Sequence, residues 1–248
     1  MKTKPLISII TVVYNGAATL EQTILSVVNQ SYTNIEYIII DGGSTDETIN
    51  IIKKYEQKIS CWISEPDEGI YDAMNKAIKL AKGDWVYFLS CDDILINILH
   101  RIYVLFCDKS TIYYGNVYMT EKCCIYDGKF NAFKLTDFNI CHQAIFYPRW
   151  IFEKYRYNLN YPLLSDWDFN IRCWGDSHIS FKYIPVIIAV YSDKGITSNR
   201  VDYKFIRDRL LIIKHNLPKI IYYHSLIKSK IYFIKRKFTK NKSNATNT

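Results

Sequence analysis

Residues 6–16 read LISIITVVYNG, and this stretch decides the fold class of the 248-residue chain. Residues 6–14 form a near-continuous run of apolar and β-branched side chains, which Asn15-Gly16 then breaks. Such a run is typical of a central parallel strand, because a strand buried on both faces has no need for alternating polar residues. The stretch therefore predicts a mainly parallel sheet with helices packed on it.

The same pattern of a strand followed by a helix continues to about residue 100. Apolar runs predict further strands at 35–40, 59–64 and 84–90, and apolar residues at helical spacing predict helices between them. Capping-box spacing marks three helix starts, at Thr19 with Gln22, Ser44 with Glu47 and Ser165 with Asp168. Right-handed βαβ units bring the C-terminal ends of all these strands to one edge of the sheet.

Polar and mostly acidic residues follow the strands at that edge: Asn15, Asp41, Asp67, Asp92 and Asp93. The last two are the most informative, because two adjacent carboxylates in apolar surroundings repel each other unless a cation lies between them. A hard divalent cation prefers oxygen ligands, and open α/β sheets bind ligands at the C-terminal ends of their strands. The pair predicts a metal site that holds a phosphate-bearing substrate. The structural alternative is that both aspartates cap a helix beginning at Ile94.

Positive charge is concentrated at the C-terminus. The net charge is +8, but the segment from Lys204 onward holds twelve Lys or Arg residues and one acidic residue, which leaves −3 elsewhere. A near-neutral body argues against binding nucleic acid. Residues 219–237 mix apolar and basic side chains, which favours contact with an anionic membrane surface, where each basic residue contributes ~1 kcal/mol. A solvated helix that covers the core is the alternative.

Cysteine usage and the N-terminus favour a cytoplasmic chain. The seven cysteines include no Cys-x-x-Cys pair, which predicts reduced and mostly buried thiols. Residues 1–5 lack the apolar stretch of a signal peptide, and the longest apolar runs are too short to span a bilayer. We expect a catalytic domain over residues 1–200, a basic helical extension over 201–240 and a disordered tail over 241–248. The protein would then lie peripherally on the inner face of the cell membrane.

Five segments resemble the inverting family-two glycosyltransferases of bacterial surface-polysaccharide synthesis. Spread over residues 6–175 in the family's order, they are ISIITVVYNGAATL, IEYIIIDGGSTDET, SEPDEGIYDAMNKAIKLAKGDWVYFLSCDD, ICHQAIF and LLSDWDFNIR. The resemblance implies the GT-A fold, a Rossmann-like parallel sheet flanked by helices, with a small antiparallel acceptor region. It also implies transfer of one sugar from a nucleotide-sugar, with UDP as the expected nucleotide, to a saccharide or lipid-linked acceptor.

The resemblance assigns roles at the donor side. Asp41 would accept a hydrogen bond from the base, Asp67 would lie near the base or ribose, and Tyr14 would stack on the base. Each has a structural alternative, respectively a tight turn, a charge favoured by a helix N-terminus and a core tyrosine.

The family's metal motif, Asp-x-Asp, corresponds here to Ser90-Cys91-Asp92. Ser90 replaces the first acid and would contact the donor ribose through its hydroxyl. Asp92 would bind Mg²⁺ or Mn²⁺ on the donor diphosphate, and Asp93 would be a second ligand or support the site.

Asp166 matches the family's catalytic base, although Ser165 stands where the family has Glu. Its alternative role is to complement the dipole of a helix. Relatives often place the segment of His142 and Gln143 near the acceptor cleft, while a lone histidine is commonly structural. Thr197 and Ser198 resemble a loop near the diphosphate, or form an ordinary turn. Arg149-Trp150 lacks the glutamine of processive relatives, so we expect addition of a single sugar.

Two other functions use similar folds. A sugar-phosphate nucleotidyltransferase would need a Gly-rich, Arg-containing loop after the first strand, and YNGAATL has one glycine and no arginine. A dinucleotide oxidoreductase would need Gly-x-Gly-x-x-Gly, which this chain lacks. A non-catalytic nucleotide-binding scaffold remains an alternative, because Ser90 and Ser165 both replace family acids.

Overall fold

The computed structural model describes residues 4–192 and 200–245, with side chains described as far as residue 232. The predicted contacts of Thr197 and Ser198 therefore lie outside the described residues.

A single mixed sheet organises the described part of the chain. Its strands are β1 (Ile7–Val13), β2 (Ile35–Asp41), β3 (Cys61–Ser64), β4 (Trp85–Ser90), β5 (Ile94–Leu95), β6 (Thr111–Met119), β7 (Cys124–Tyr126), β8 (Ile145–Pro148) and β9 (Ser180–Tyr191). Their order across the sheet is β3-β2-β1-β4-β8-β6-β9-β5, and β7 pairs with β6 outside this path.

The first four strands are parallel, as the sequence predicts. All seven residues of β1 are buried, because strands and helices cover both its edges and both its faces. The register brings Val13 opposite Asp41 and Val12 opposite Ser90. The strand ends are therefore level, and the polar residues that follow them share one edge of the sheet.

The second half of the sheet mixes directions. β8 is antiparallel to both β4 and β6, whereas β6 and β9 are parallel to each other. The pairing of β6 with β9 shifts register beside Asn116, opposite the segment that contains Pro185. A proline has no N–H to donate to the sheet, so a local irregularity is expected there.

The helices are α1 (Leu20–Val28), α2 (Thr48–Lys54), α3 (Ile70–Leu80), α4 (Leu99–Ile102), α5 (Ala132–Leu135), α6 (Ile151–Lys154), α7 (Ser165–Gly175), α8 (Tyr203–Asn216) and α9 (Lys219–Ala245). The three predicted capping boxes are wrong. Thr19 makes no capping hydrogen bond through its side chain, and α2 and α7 follow Glu47 and Leu164 instead. The Ser44 and Ser165 hydroxyls instead hydrogen-bond to neighbouring loops.

Two hydrophobic clusters lie on opposite faces of the sheet. One includes Met74 of α3 and Phe169 of α7, and the other includes Ile24 of α1 and Leu99 of α4. Alternate side chains of a strand point to opposite faces, so each central strand contributes to both clusters. This arrangement confirms the predicted α/β fold class.

The C-terminal helices extend the fold. α8 packs against α7 so closely that a Cβ on Gly175 would lie 1.8 Å from the Asn216 carbonyl oxygen. α9 continues to Ala245, into the segment that its polar composition predicts to be disordered. Among residues 4–192 and 200–245, none of the helices has both the length and the hydropathy that a bilayer span requires.

All seven cysteines are free thiols. The prediction that most are buried is wrong: only Cys173 is fully buried, while Cys107, Cys123 and Cys124 are exposed. The exposed ones lie in or beside turns that connect strands of the second half of the sheet.

Candidate active site

The turn after β4 is built around Asp93, which is completely buried. Its Oδ2 accepts a hydrogen bond from Gln143 Nε2 at 2.6 Å, and its Oδ1 accepts one from the Ser192 N–H at 2.9 Å. Burial, together with the adjacent Asp92, raises the pKa of Asp93 to about 6. Asp93 therefore faces the protein rather than a donor, and it ties the segments of residues 143 and 192 to the end of β4.

Helix α1 also fixes this turn. The Thr23 hydroxyl lies 2.9 Å from the Cys91 carbonyl oxygen and 2.8 Å from that of Asp93. Ile94 and Leu95 pair with β9 as a short strand. The alternative that the two aspartates cap a helix beginning at Ile94 is therefore wrong.

Asp92, unlike Asp93, is partly exposed. Burial raises its pKa, against the favourable influence of His142. A carboxylate in this position gains from an added cation. The Ser90 hydroxyl lies 3.4 Å from His142 Nε2 and accepts a hydrogen bond from Gln143 Nε2 at 3.2 Å.

The loop after β2 folds around Asp41, whose side chain is fully buried. Its Oδ2 accepts hydrogen bonds from the N–H groups of Gly43 and Ser44, both at 3.0 Å, and from the Ser64 hydroxyl at 2.6 Å. The Ser44 hydroxyl donates to Oδ1. In this structure Asp41 thus acts as the centre of the loop: Gly43 and Ser44 donate to it from the turn, and Ser64 donates from the end of β3.

Asp67 lies directly against the same loop. A Cβ placed on Gly42 would lie 2.5 Å from Asp67 Oδ2, so only glycine leaves the carboxylate where it is. Asp67 Oδ1 accepts a hydrogen bond from the Gly69 N–H at 2.8 Å. Tyr14, at the end of β1, is 63% exposed and is therefore not a core tyrosine. The predicted donor residues of the first three strands share one edge, with Tyr14 and Asp67 accessible and Asp41 covered.

Asp166 lies in the first turn of α7 and is 6% exposed. Its Oδ1 accepts hydrogen bonds from the Tyr71 hydroxyl at 2.7 Å and from the Trp167 N–H at 2.9 Å. Its Oδ2 accepts one from Asn139 Nδ2 at 2.8 Å and lies 3.6 Å from His142 Nδ1. Three hydrogen-bond donors thus hold the carboxylate, and one imidazole ring separates it from Ser90.

A cavity of about 280 Å³ opens beside this carboxylate. Its walls include Asp166, Asn139, His142 and Gln143, and the remaining residues that line it are mostly apolar or aromatic. The residues predicted at the donor side, from Tyr14 to Asp92, do not line it. The cavity is therefore separate from the edge of the sheet where the parallel strands end, and the two meet at His142.

Within the described part of the chain, no group of three or more His, Cys, Asp or Glu side chains is placed to hold a metal alone. Mg²⁺ characteristically binds one or two carboxylates and completes its coordination with substrate phosphates and water. Asp92 fits this mode, because it is a partly exposed carboxylate whose charged form burial disfavours. Asp93 fits it less well, because both its oxygens already accept hydrogen bonds from the protein.

Sequence reasoning missed Tyr71 and Asn139, which hold the carboxylate of Asp166. Tyr71 is buried on the core side of α3, and Asn139 lies in a loop. Only the three-dimensional structure brings them to α7. The predicted capping role of Asp168 is also replaced, since this side chain pairs with Arg172 Nε at 2.9 Å.

The fold is shared with solved glycosyltransferases. The chain superposes on Staphylococcus aureus TarS residues 1–349 with a TM-score of 0.72 and 16% identity, covering 89% of this chain and 69% of that one. It superposes on the Pyrobaculum calidifontis mannosyltransferase PcManGT, solved with GDP-Man and Mn²⁺, with a TM-score of 0.62 and 14% identity, covering 92% and 65%. The architecture is therefore the GT-A glycosyltransferase fold.

The sequence comparisons identify the family. The family model described as glycosyl transferase family 2 matches residues 8–160. A PGL/p-HBAD biosynthesis glycosyltransferase of Mycobacterium bovis is 38% identical over 213 residues, which cover 82% of this chain and 83% of that protein. An uncharacterized glycosyltransferase of Haemophilus influenzae is 44% identical over 96 residues, 38% of each chain. The chain belongs to glycosyl transferase family 2 and is a glycosyltransferase rather than a nucleotidyltransferase.

Proposed function

We propose that this enzyme transfers one sugar from a nucleoside-diphosphate sugar, with UDP as the expected nucleotide, to a saccharide or lipid-linked acceptor in glycan synthesis, with inversion. The observation that carries the proposal is the placement of Asp166. Its carboxylate borders the cavity beside His142, while the metal-binding candidate Asp92 lies beyond that ring at the end of β4. A base and a leaving-group site on opposite sides of His142 suit a single in-line displacement.

In this mechanism an acceptor hydroxyl enters the cavity and points its proton at Asp166. The hydroxyl oxygen forms a bond to the anomeric carbon, and the bond from that carbon to the diphosphate oxygen breaks. Asp166 takes the proton from the acceptor, and the diphosphate leaves with the bonding electron pair. Because attack and departure occur on opposite faces of the sugar, the anomeric configuration inverts.

On the donor side, Tyr14 is proposed to stack on the base, and Asp67 to accept a hydrogen bond from the base or ribose. Ser90 is proposed to contact the ribose through its hydroxyl. Asp92 is proposed to hold Mg²⁺ or Mn²⁺, which would supply the positive charge that stabilises a departing diphosphate. Asp41 and Asp93 are proposed to shape the loops around the donor, because their carboxylates are buried and hydrogen-bonded within the protein.

A calorimetric titration tests the metal and the donor together. UDP should bind more tightly with Mn²⁺ than without it, and Asp92→Asn, which keeps the side-chain shape, should abolish that gain. Asp108→Asn, which removes an exposed carboxylate at the start of β6, is the matched control and should keep it. The metal-binding role is contradicted if the wild-type protein gains no nucleotide affinity from either Mn²⁺ or Mg²⁺.

Transfer assays test the base and the stereochemistry. Asp166→Asn should lower kcat by about 10²–10⁴-fold, the usual contribution of a general base, while UDP affinity stays unchanged. Proton NMR of the first product formed should show an anomeric configuration opposite to that of the donor. A product with retained configuration would rule out the single displacement.

We also propose that the C-terminal helices contact an anionic membrane surface, such as the inner face of the cell membrane. The α9 residues Ile220, Tyr223, Ile227 and Ile231 are each at least 49% exposed and form one stripe along the helix. On a helical wheel, lysines flank this stripe on both sides, including Lys228. An exposed apolar stripe bordered by lysines is typical of a helix that lies in a lipid interface.

Vesicle flotation distinguishes this surface from a solvated helix. The protein should float with vesicles that contain anionic lipid, and less so with purely zwitterionic vesicles or at high salt, because charge attraction is screened. Ile227→Asp should weaken flotation. Leu25→Asp, at an exposed position on α1, is the matched control and should not. Equal flotation by the wild-type protein and the Ile227→Asp variant would contradict the proposal.

A further inference from the structure

A chain of buried amide groups leads from the core to Asp166. The Tyr147 hydroxyl donates to Asn170 Oδ1 at 2.8 Å, and Asn170 Nδ2 donates to Asn139 Oδ1 at 2.8 Å. Asn139 Nδ2 then donates to Asp166 Oδ2, also at 2.8 Å. Tyr147 and Asn170 are completely buried, so no solvent competes for the hydrogen bond between them.

The chemistry of the groups fixes the direction of this chain. An ionised carboxylate only accepts hydrogen bonds, so Asn139 must turn its NH₂ group toward Asp166 and its carbonyl oxygen toward Asn170. Asn170 must then present its own NH₂ group to Asn139, and its oxygen is left for a donor. Tyr147 is that donor. Reversing any amide would bring two acceptors or two donors together in a buried place, which is costly.

We propose that Tyr147, Asn170 and Asn139 form a polarised relay that positions the Asp166 carboxylate to take the acceptor proton. This inference rests on the proposed role of Asp166 as the base. Asn139 is the positioning residue that touches Asp166, and the two residues behind it act through it. The relay leaves a lone pair of Oδ2 on the His142 side of the carboxylate, where the cavity begins.

The two sides of the carboxylate respond differently to protonation. The Tyr71 hydroxyl lies within reach of both Asp166 Oδ1 and the Leu163 carbonyl oxygen, at 2.7 and 3.1 Å. It can therefore turn to Leu163 once the carboxylate is neutral. Among the hydrogen bonds of the described residues, the Asn139 NH₂ group has no second acceptor. Asn139 therefore opposes a proton on the lone pair of Asp166 Oδ2 to which it donates.

The decisive variant is Asn170→Asp, which keeps the side-chain shape but removes its NH₂ group. Asn139 would then turn its NH₂ group toward position 170 and its oxygen toward Asp166. The acid limb of the profile of kcat/KM against pH should move up by about one to two pH units, the effect of losing a donor to a carboxylate. Asn139→Leu, which removes the donor to Asp166 without adding a charge, should move the limb in the same direction.

Asn116→Asp is the matched control. Asn116 is also a buried amide that meets a tyrosine hydroxyl, with its Nδ2 2.9 Å from the Tyr183 oxygen, but none of its hydrogen bonds leads to Asp166. In the Asn116→Asp variant, the acid limb of kcat/KM should stay at the same pH as in the wild type, even if the thermal stability of the variant falls.

The relay is refuted if Asn139→Leu lowers kcat/KM equally at all pH values while the acid limb stays in place. Asn139→Leu decides the matter even where Asn170→Asp does not fold. Failure of the proposed base is a separate result, because Asp166→Asn would then keep its activity. A shifted limb in the relay variants, with an inactive Asp166→Asn enzyme and an unshifted Asn116→Asp enzyme, supports both assignments.

Discussion

Substitution of Gly42 by alanine tests the donor pocket with a single methyl group. The added Cβ would lie 2.5 Å from Asp67 Oδ2 and 3.1 Å from Asp67 Cγ, both closer than ordinary contact. Gly42 does not have a positive φ, so its backbone accepts alanine without strain. The substitution therefore acts by pushing the Asp67 carboxylate aside by about 1 Å, the shortfall from van der Waals contact.

The expected magnitudes separate binding from stability. Asp67 is half-buried at the end of a flexible side chain, so the free energy of unfolding should fall by less than about 1 kcal/mol. If Asp67 accepts a hydrogen bond from the donor, its displacement removes an interaction with a charged group worth roughly 1.5–3 kcal/mol. The Kd for UDP should then rise by roughly 10–150-fold, since each 1.4 kcal/mol is tenfold.

Titration calorimetry of UDP with Mn²⁺ measures this Kd, and urea unfolding measures the stability. Asp67→Asn provides the comparison, since it removes the carboxylate charge that Gly42→Ala only displaces. Both variants should weaken UDP binding to a similar extent. Unchanged UDP affinity in both would show that Asp67 does not contact the donor. A large loss of stability in Gly42→Ala would show that the loop, rather than Asp67, absorbs the methyl group.

Three further predictions concern a donor to Asp166, the packing of α7 on α8 and the acidic residue that follows α7. Tyr71→Phe should move the acid limb of kcat/KM to higher pH by about one unit, because Asp166 loses one donor; an unmoved limb would deny this hydrogen bond a role. Gly175→Ala should lower the free energy of unfolding by about 3 kcal/mol or more, measured in urea, because its Cβ would overlap the Asn216 carbonyl oxygen; a neutral result would contradict the close packing of α7 on α8. Asp176 accepts hydrogen bonds from a lysine ammonium and other donors, chiefly the lysine, which hold its pKa well below the usual range. Its lowered pKa contributes stability that is fully present above about pH 4 and declines progressively below that value, so the stability gap between the wild type and Asp176→Asn should be smaller at pH 2 than at pH 7; an equal gap at both pH values would refute this.

The metal-side residues show how far sequence patterns reach. Asp92 and Asp93 are adjacent in sequence and look equivalent, yet the structure leaves one partly exposed and buries the other completely. The difference arises because Gln143 and Ser192, distant in sequence, supply the two donors that the buried carboxylate needs. No local pattern reports which of two neighbouring carboxylates meets such partners.

Helix starts show a similar limit. Ser44 has the right spacing to cap a helix, but its hydroxyl accepts a hydrogen bond from the Asn15 N–H at 2.7 Å and donates to Asp41. A capping-box pattern in the sequence indicates only which hydrogen bonds a side chain can form with the nearby backbone. Competing partners from another strand end decide which bond forms.

The sequence by itself determined the parallel first half of the sheet and the acidic edge where its strands end. It could do so because burial on both faces leaves a continuous apolar run, and right-handed connections then align the strand ends. Only the tertiary structure decided that β8 lies between β4 and β6, that Tyr71 and Asn139 hold Asp166, and that Asn170 stands behind them. These contacts join residues far apart in the chain, and hydrogen bonds between buried groups leave no periodic signal in the sequence.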